Sequence, residues 1–171
     1  RIQRGNNNNI SGDMCIYDSS VGSTHNLGDG DLNSCSGDIF DTGGTGNYTN
    51  NETITETYCS DAGDCIEIVF NSFSTEGCCD FLSIYDGPTT GSTLIGTYSG
   101  TTSPGTITSS TGCITFEWDS DVSSVSTGWD ATISCVACPV PTCSDGIQNQ
   151  DETGIDCGGA TCPACPAIHN I

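Results

Sequence analysis

The stretch CIEIVF, Cys65–Phe70, alternates along its length, one face apolar and the other carrying Glu67. CITFEW, Cys113–Trp118, repeats the pattern with Thr115 and Glu117 on its polar face. A period of two marks a half-buried β-strand. Around these two runs lie others rich in Ile, Val, Phe, Thr and Tyr: TITETYC, FLSIYDG, STLIGTYSG, GTITSS and GWDATISC. Turn signals such as NN, DGPTTGS, SPG and STG separate them, and no window has a helical period. Many short strands at this spacing predict an all-β fold, an antiparallel β-sandwich, over residues 35–135.

The flanks read differently. Residues 1–34 are polar and Gly/Asn-rich, with NNNN, GDGD and one apolar patch, MCIYD, which predicts an N-terminal arm with at most one strand. Residues 136–171 hold several cysteines and prolines and almost nothing to bury, so covalent staples or a metal must hold this tail.

The chain has 171 residues, with 22 acidic side chains against two basic ones, Arg1 and Arg4. Nucleic acid and anionic membranes are disfavoured as partners, because nothing neutralises phosphate. Cations, basic proteins or neutral glycans fit instead. Thirteen cysteines imply an oxidising, extracellular compartment, and no apolar run is long enough to span a bilayer. The start at Arg1 fits a mature chain whose targeting segment has been removed. N-x-S/T triplets at Asn9, Asn47 and Asn51 would carry glycans only in a source that glycosylates asparagine.

Acid collects unevenly. In FSTEGCCDFLSIYDG, Phe73–Gly87, Glu76 and Asp80 stand four residues apart across a cysteine turn, so both can face one point. Asp119 and Asp121 sit where another strand ends. Crowded carboxylates without a cation cost stability, whereas calcium takes six to eight hard oxygen ligands at roughly 2.3–2.6 Å. The alternative is a solvated acidic rim.

The middle of the chain resembles a CUB domain. The resemblance rests on DTGGTGNYTNNETITETYC, IEIVFNSFSTE, CDFLSIYDG, GTYSG and FEWDSDVSSVSTGWDATISC, which run from Asp41 to Cys135. It implies a jelly-roll sandwich and, for the calcium-binding kind, an ion held at one end. By motif the ligands are Glu76, Asp80 and Asp121, with backbone carbonyls of Val122 or Ser123, and Tyr48 braces a ligand carboxylate. The loop between Glu76 and Asp80 is only GCC, shorter than the family's. The variant is similar to CUB modules of secreted bacterial multidomain proteins, which are often followed by a segment like CSDGIQN…ETGIDCGG…C…C at Cys143–Cys165.

Thirteen cysteines leave at least one without an intrachain partner. Cys35 with Cys59 would bracket the first strands, and the bacterial variant suggests Cys113 with Cys135. Cys65 would join Cys78 or Cys79. Cys143, Cys157, Cys162 and Cys165 could form two bridges in the tail, leaving Cys15 and Cys138 to find partners. Connectivity stays open at this level. A zinc frame, Cys135–Cys138 with Cys162–Cys165, is opposed by intervening Cys143 and Cys157 and by the oxidising context. The tail oxygens of Asp145, Asn149, Asp151, Glu152 and Asp156 are weaker candidates for a second calcium ion, since their spacing is not that of an EF-hand.

Nucleophilic machinery is missing: the chain holds no G-x-S-x-G, no H-E-x-x-H and no Lys, while His25 and His169 lie in irregular ends that predict exposed side chains. No catalysis is expected. Trp118 and Trp129 are the only indoles available as a sugar platform. Trp129 matches a family position that packs in the core, and one of Phe116 and Trp118 is expected to face outward.

These readings converge on a secreted, calcium-stabilised, non-catalytic interaction or adhesion module docking a basic protein surface. A second reading is the protomer of an extracellular filament whose N-terminal arm adds to its neighbour. There Arg1 and Arg4 would dock on the next subunit's acidic rim. A third is a carbohydrate-binding accessory module.

Overall fold

Ile114, Phe116 and Trp118 are all fully buried, while Asp119 is exposed and Glu117 half-buried. The strand that carries them is one of ten in a computed structural model that describes residues 23–61, 63–138, 155, 157, 164 and 165. The strands are β1 (Thr24–Asn26), β2 (Leu32–Asn33), β3 (Ser36–Phe40), β4 (Thr53–Cys59) and β5 (Cys65–Ser74). After them come β6 (Phe81–Asp86), β7 (Thr93–Tyr98), β8 (Thr106–Thr108), β9 (Cys113–Asp119) and β10 (Gly128–Val136). They form two five-stranded sheets, ordered β1-β3-β10-β5-β8 and β2-β4-β9-β6-β7. The sandwich is as the strand pattern predicts. Its sheets are mixed rather than purely antiparallel, because β1 joins β3 and β2 joins β4 in parallel at the edges.

Each sheet turns one face inward. Ile66, Ile68 and Phe70 of β5 and Trp129, Ala131 and Ile133 of β10 meet Leu82 and Ile84 of β6 and the apolar side of β9. Aromatic rings join across the layer: Trp118 and Trp129 lie edge-to-face at 5.2 Å, and Phe116 and Phe70 stack at 5.9 Å. Burial of this area, at roughly 25 cal/mol per Å², is the main stabilising term. Residues i and i+2 of a strand share a face, so Phe116 and Trp118 both point inward without a bulge. The expectation that one faces out fails. With Trp118 and Trp129 both buried, neither indole can serve as a sugar platform.

Residues 23–34 belong to the sandwich. β1 extends one sheet and β2 the other, so the described domain starts ahead of Cys35. His25 is not an exposed end residue either. Its Nε2 lies 2.6 Å from Oε1 of buried Glu56, whose Oε2 accepts the N–H groups of Gly28 (2.6 Å) and Gly30 (3.2 Å). One carboxylate thus gathers the entry strand and the turn behind it onto β4.

Strand order decides the disulfides. β4 and β9 are partners with Cys59 opposite Cys113, and these two are bonded. β3 lies beside β10, and Cys35 bonds Cys135 across 100 residues. The pairings Cys35–Cys59 and Cys113–Cys135 are therefore replaced. Cys65 bonds Cys138, just past the end of β10. It cannot reach Cys78 or Cys79, which follow the other end of β5, about 30 Å away at the rise of a strand. Those two are bonded to each other. The zinc frame is not formed, because Cys135 and Cys138 are both in disulfides. In the tail Cys157 bonds Cys165. Arg1, Arg4, Asn9, Cys15, Cys143, Asp145, Asn149, Asp151, Glu152, Asp156, Cys162 and His169 lie outside the described residues.

Just past β3, Asp41 is fully buried and accepts the N–H groups of Gly43 (2.7 Å) and Trp129 (2.9 Å). Burial pushes its carboxyl up from 3.8 to about 6, against the pull of those donors. The folded protein therefore keeps a proton that the unfolded chain releases from about pH 4, so this group lowers stability as pH rises toward 6. Denaturant unfolding of wild type and Asp41→Asn across that range checks this. The stability difference should move in favour of the Asn variant as pH rises, then level off. A difference independent of pH would contradict it.

Candidate metal centre

The end of β5, the start of β6 and the end of β9 meet at one end of the sandwich, since Phe81 and Asp119 are register partners. The turn from Thr75 to Asp80 is closed by the Thr75 hydroxyl, which donates to the Asp80 carbonyl (3.2 Å) and accepts the Gly100 N–H (2.9 Å). Glu76, Asp80 and Asp121 each bring one carboxylate oxygen to within 4.8 Å of the others. The structure thus unites three of the residues singled out by motif.

Asp80 is the centre of the arrangement. It is fully buried, its Oδ1 accepting the Asp121 N–H (2.8 Å) and its Oδ2 the Tyr48 hydroxyl (2.5 Å). The same Tyr48 oxygen accepts the Glu76 N–H at 2.9 Å. Tyr48 thus braces one carboxylate and the backbone of a second. Burial, followed by the bond to Asp80, pushes its hydroxyl up to about 12, so it stays a donor at neutral pH.

Asp121 opens the loop after β9. Its backbone carbonyl accepts the Asn51 N–H (2.7 Å), and its Oδ1 the Ser123 N–H (2.8 Å). Val122 and Ser123 follow in that loop, with the Val122 side chain 75% exposed. Asp119 stands apart, exposed and accepting the Thr53 hydroxyl (2.9 Å).

Sequence reasoning missed the bracing behind the site. Glu52 donates its N–H to Ser120 Oγ (2.9 Å), and that hydroxyl donates to the Thr49 carbonyl (2.9 Å). The Glu52 carboxylate accepts from Thr42 (2.8 Å), Thr49 (2.6 Å) and the Trp118 indole (2.9 Å). A loop of residues 47–52 is thereby fixed against the loop that carries Asp121. The abundance of Thr and Asn around residue 50 was the only available signal.

A family model described as the CUB domain matches residues 28–133. The chain belongs to the CUB domain family. Solved structures with the same fold include the CUB1-EGF-CUB2 domain of human MASP-1/3, at 19% identity and a TM-score of 0.56, covering 65% of this chain. The chain spans 43% of that structure. The MASP-1 CUB2 domain bound to Ca2+ matches at 20% identity and a TM-score of 0.55, covering 63% of this chain and 98% of its own. The full extracellular region of zebrafish Gpr126/Adgrg6 matches at 20% identity and a TM-score of 0.56, covering 73% of this chain and 17% of its own. CUB domains are typically extracellular interaction modules and generally non-catalytic. Among the described residues of this one, no helix is long and apolar enough to cross a membrane.

The donor set of this CUB domain suits a hard cation. All three side chains offer oxygen, and both Lys and Arg are absent from the described residues. Glu76 Oε2 is buried with no hydrogen-bond partner, an arrangement that stays costly until something positive meets it.

Proposed function

We propose that this CUB domain holds one calcium ion through Glu76, Asp80 and Asp121, and uses the ordered rim as a docking site for a basic protein surface. The observation that carries the reading is the convergence of three carboxylates, one with a buried unpartnered oxygen, in a sandwich whose described residues include neither Lys nor Arg. The calcium carried by the MASP-1 CUB2 structure supports it. Bound calcium supplies two positive charges that offset the mutual repulsion of the carboxylates. The chain supplies the rest. Tyr48 and the Asp121 N–H fix Asp80, and backbone carbonyls of Val122 or Ser123 complete the oxygen shell. Carboxylate oxygen left facing solvent then accepts a partner's Lys or Arg. In this reading the protein is a secreted, non-catalytic adhesion module.

A lysine-rich protein immobilised on a sensor surface tests the docking step. Retention in calcium should be lost in chelator and lost when the surface lysines are acetylated. Equal retention in calcium and chelator would reduce the binding to bulk charge attraction and refute a site-specific dock.

A further inference from the structure

The turn that carries two of the three carboxylates contains a disulfide between adjacent residues, Cys78–Cys79. We infer that this bond is a redox control on the metal site: a dithiol opens it, and the opened turn holds calcium less tightly. The inference rests on the calcium reading above and adds its regulation.

Three observations carry it. The first is position. Cys78 and Cys79 are two of the three residues between Glu76 and Asp80, and their sulfurs lie within 4.8 Å of the Glu76 carboxylate. The ring they close therefore packs against the ligand whose Oε2 has no hydrogen-bond partner. The second is access. Cys78 is exposed, whereas Cys65 is fully buried and the remaining described cysteines of the sandwich are half-buried. The third is what each bond encloses. Cys35–Cys135, Cys59–Cys113 and Cys65–Cys138 close loops of 100, 54 and 73 residues and hold the sandwich together. A bond between neighbours closes no chain loop, so its loss leaves the unfolded chain's entropy almost unchanged. Its effect is confined to the turn.

The chemistry balances. A thiolate of the dithiol attacks the exposed Cys78 sulfur, forming a mixed disulfide and expelling the Cys79 thiolate, which takes up a proton. The second thiol of the reductant then displaces Cys78, which also leaves as a thiol, and the reductant departs as its own disulfide. Two electrons and two protons have passed to the protein. The turn regains backbone freedom at residues 78 and 79, and two S–H groups now stand against Glu76. Binding calcium must re-order that turn. With backbone freedom to be withdrawn again from two residues, a loss of affinity of at least about tenfold is expected.

The test uses the whole chain. It is treated briefly with a soluble dithiol, free thiols are alkylated and mapped, and calcium binding is measured calorimetrically before and after. Hydrogen exchange at residues 75–80 is followed in parallel. Among the cysteines of the sandwich, Cys78 and Cys79 should be the first labelled after reduction, exchange should quicken in that turn alone, and the dissociation constant should rise at least about tenfold. A Cys78→Ser/Cys79→Ser variant should reproduce the weakened binding without reductant. If oxidised and opened forms bind calcium equally, or if Cys59–Cys113 opens before Cys78–Cys79, the redox control is overturned. If the oxidised protein takes up no calcium, the metal reading itself falls, and this inference with it.

Discussion

Asp80→Ala is expected to abolish calcium uptake and, in excess calcium, to lower stability by several kcal/mol. Two contributions add. Wild type gains about 2.7 kcal/mol from calcium at a hundred times its dissociation constant, and the variant forgoes this. The variant also strands the Asp121 N–H and the Tyr48 hydroxyl, both bonded to Asp80 in the folded protein. Each stranded buried donor costs about 1–3 kcal/mol. In chelator the balance changes, because wild type then holds a fully buried carboxylate facing Glu76 and Asp121 with no cation among them. Removing that charge offsets part of the loss. Denaturant unfolding in calcium and in chelator should therefore show a large deficit in the first and a smaller one in the second. The same deficit in both would mean that Asp80 is structural only.

Trp118→Ala is expected to cost about 3–5 kcal/mol, the range for truncating a large aromatic in a core. The indole is fully buried, lies edge-to-face with Tyr48 at 5.0 Å, and donates to Glu52 at 2.9 Å. The loss reaches the metal site through both neighbours, since Tyr48 orients Asp80 and Glu52 fastens the loop beside Asp121. The urea midpoint should fall sharply, and calcium affinity with it. Trp118→Phe should fall between wild type and the Ala variant in stability. A loss under about 1 kcal/mol for the Ala variant would place the indole outside the core and revive it as a glycan platform.

Much of the fold was legible because alternation is a local signal. Cys65–Phe70 and Cys113–Trp118 each reveal their inward face without reference to any other strand. Edge strands carry no such signal. β1 is THN and β2 is LN, too short to show a period, and their parallel pairing is set by strands that arrive later in the chain. Disulfide connectivity was hidden for the same reason. Cys59 meets Cys113 only because β4 lies beside β9, a fact of sheet order rather than of spacing.

At the site, the carboxylates and Tyr48 could be picked out because motif positions carry over residue by residue. Their supports could not. Ser120 reaches Thr49 across 71 positions of sequence, and Asn51 reaches Asp121 from the same distant loop. The polar residues around His25 show no strand period, yet buried Glu56 draws it into a sheet edge.

The central claim is that the acid at this end of the sandwich exists to hold an ion. Calorimetric titration of chelator-stripped protein with calcium, beside Asp121→Ala, tests it most directly. The account predicts a single binding step in wild type, with a dissociation constant of roughly micromolar to millimolar, and loss of that step in the variant. Absence of heat in wild type, or an unchanged isotherm in the variant, would leave the three carboxylates a solvated rim and contradict the account.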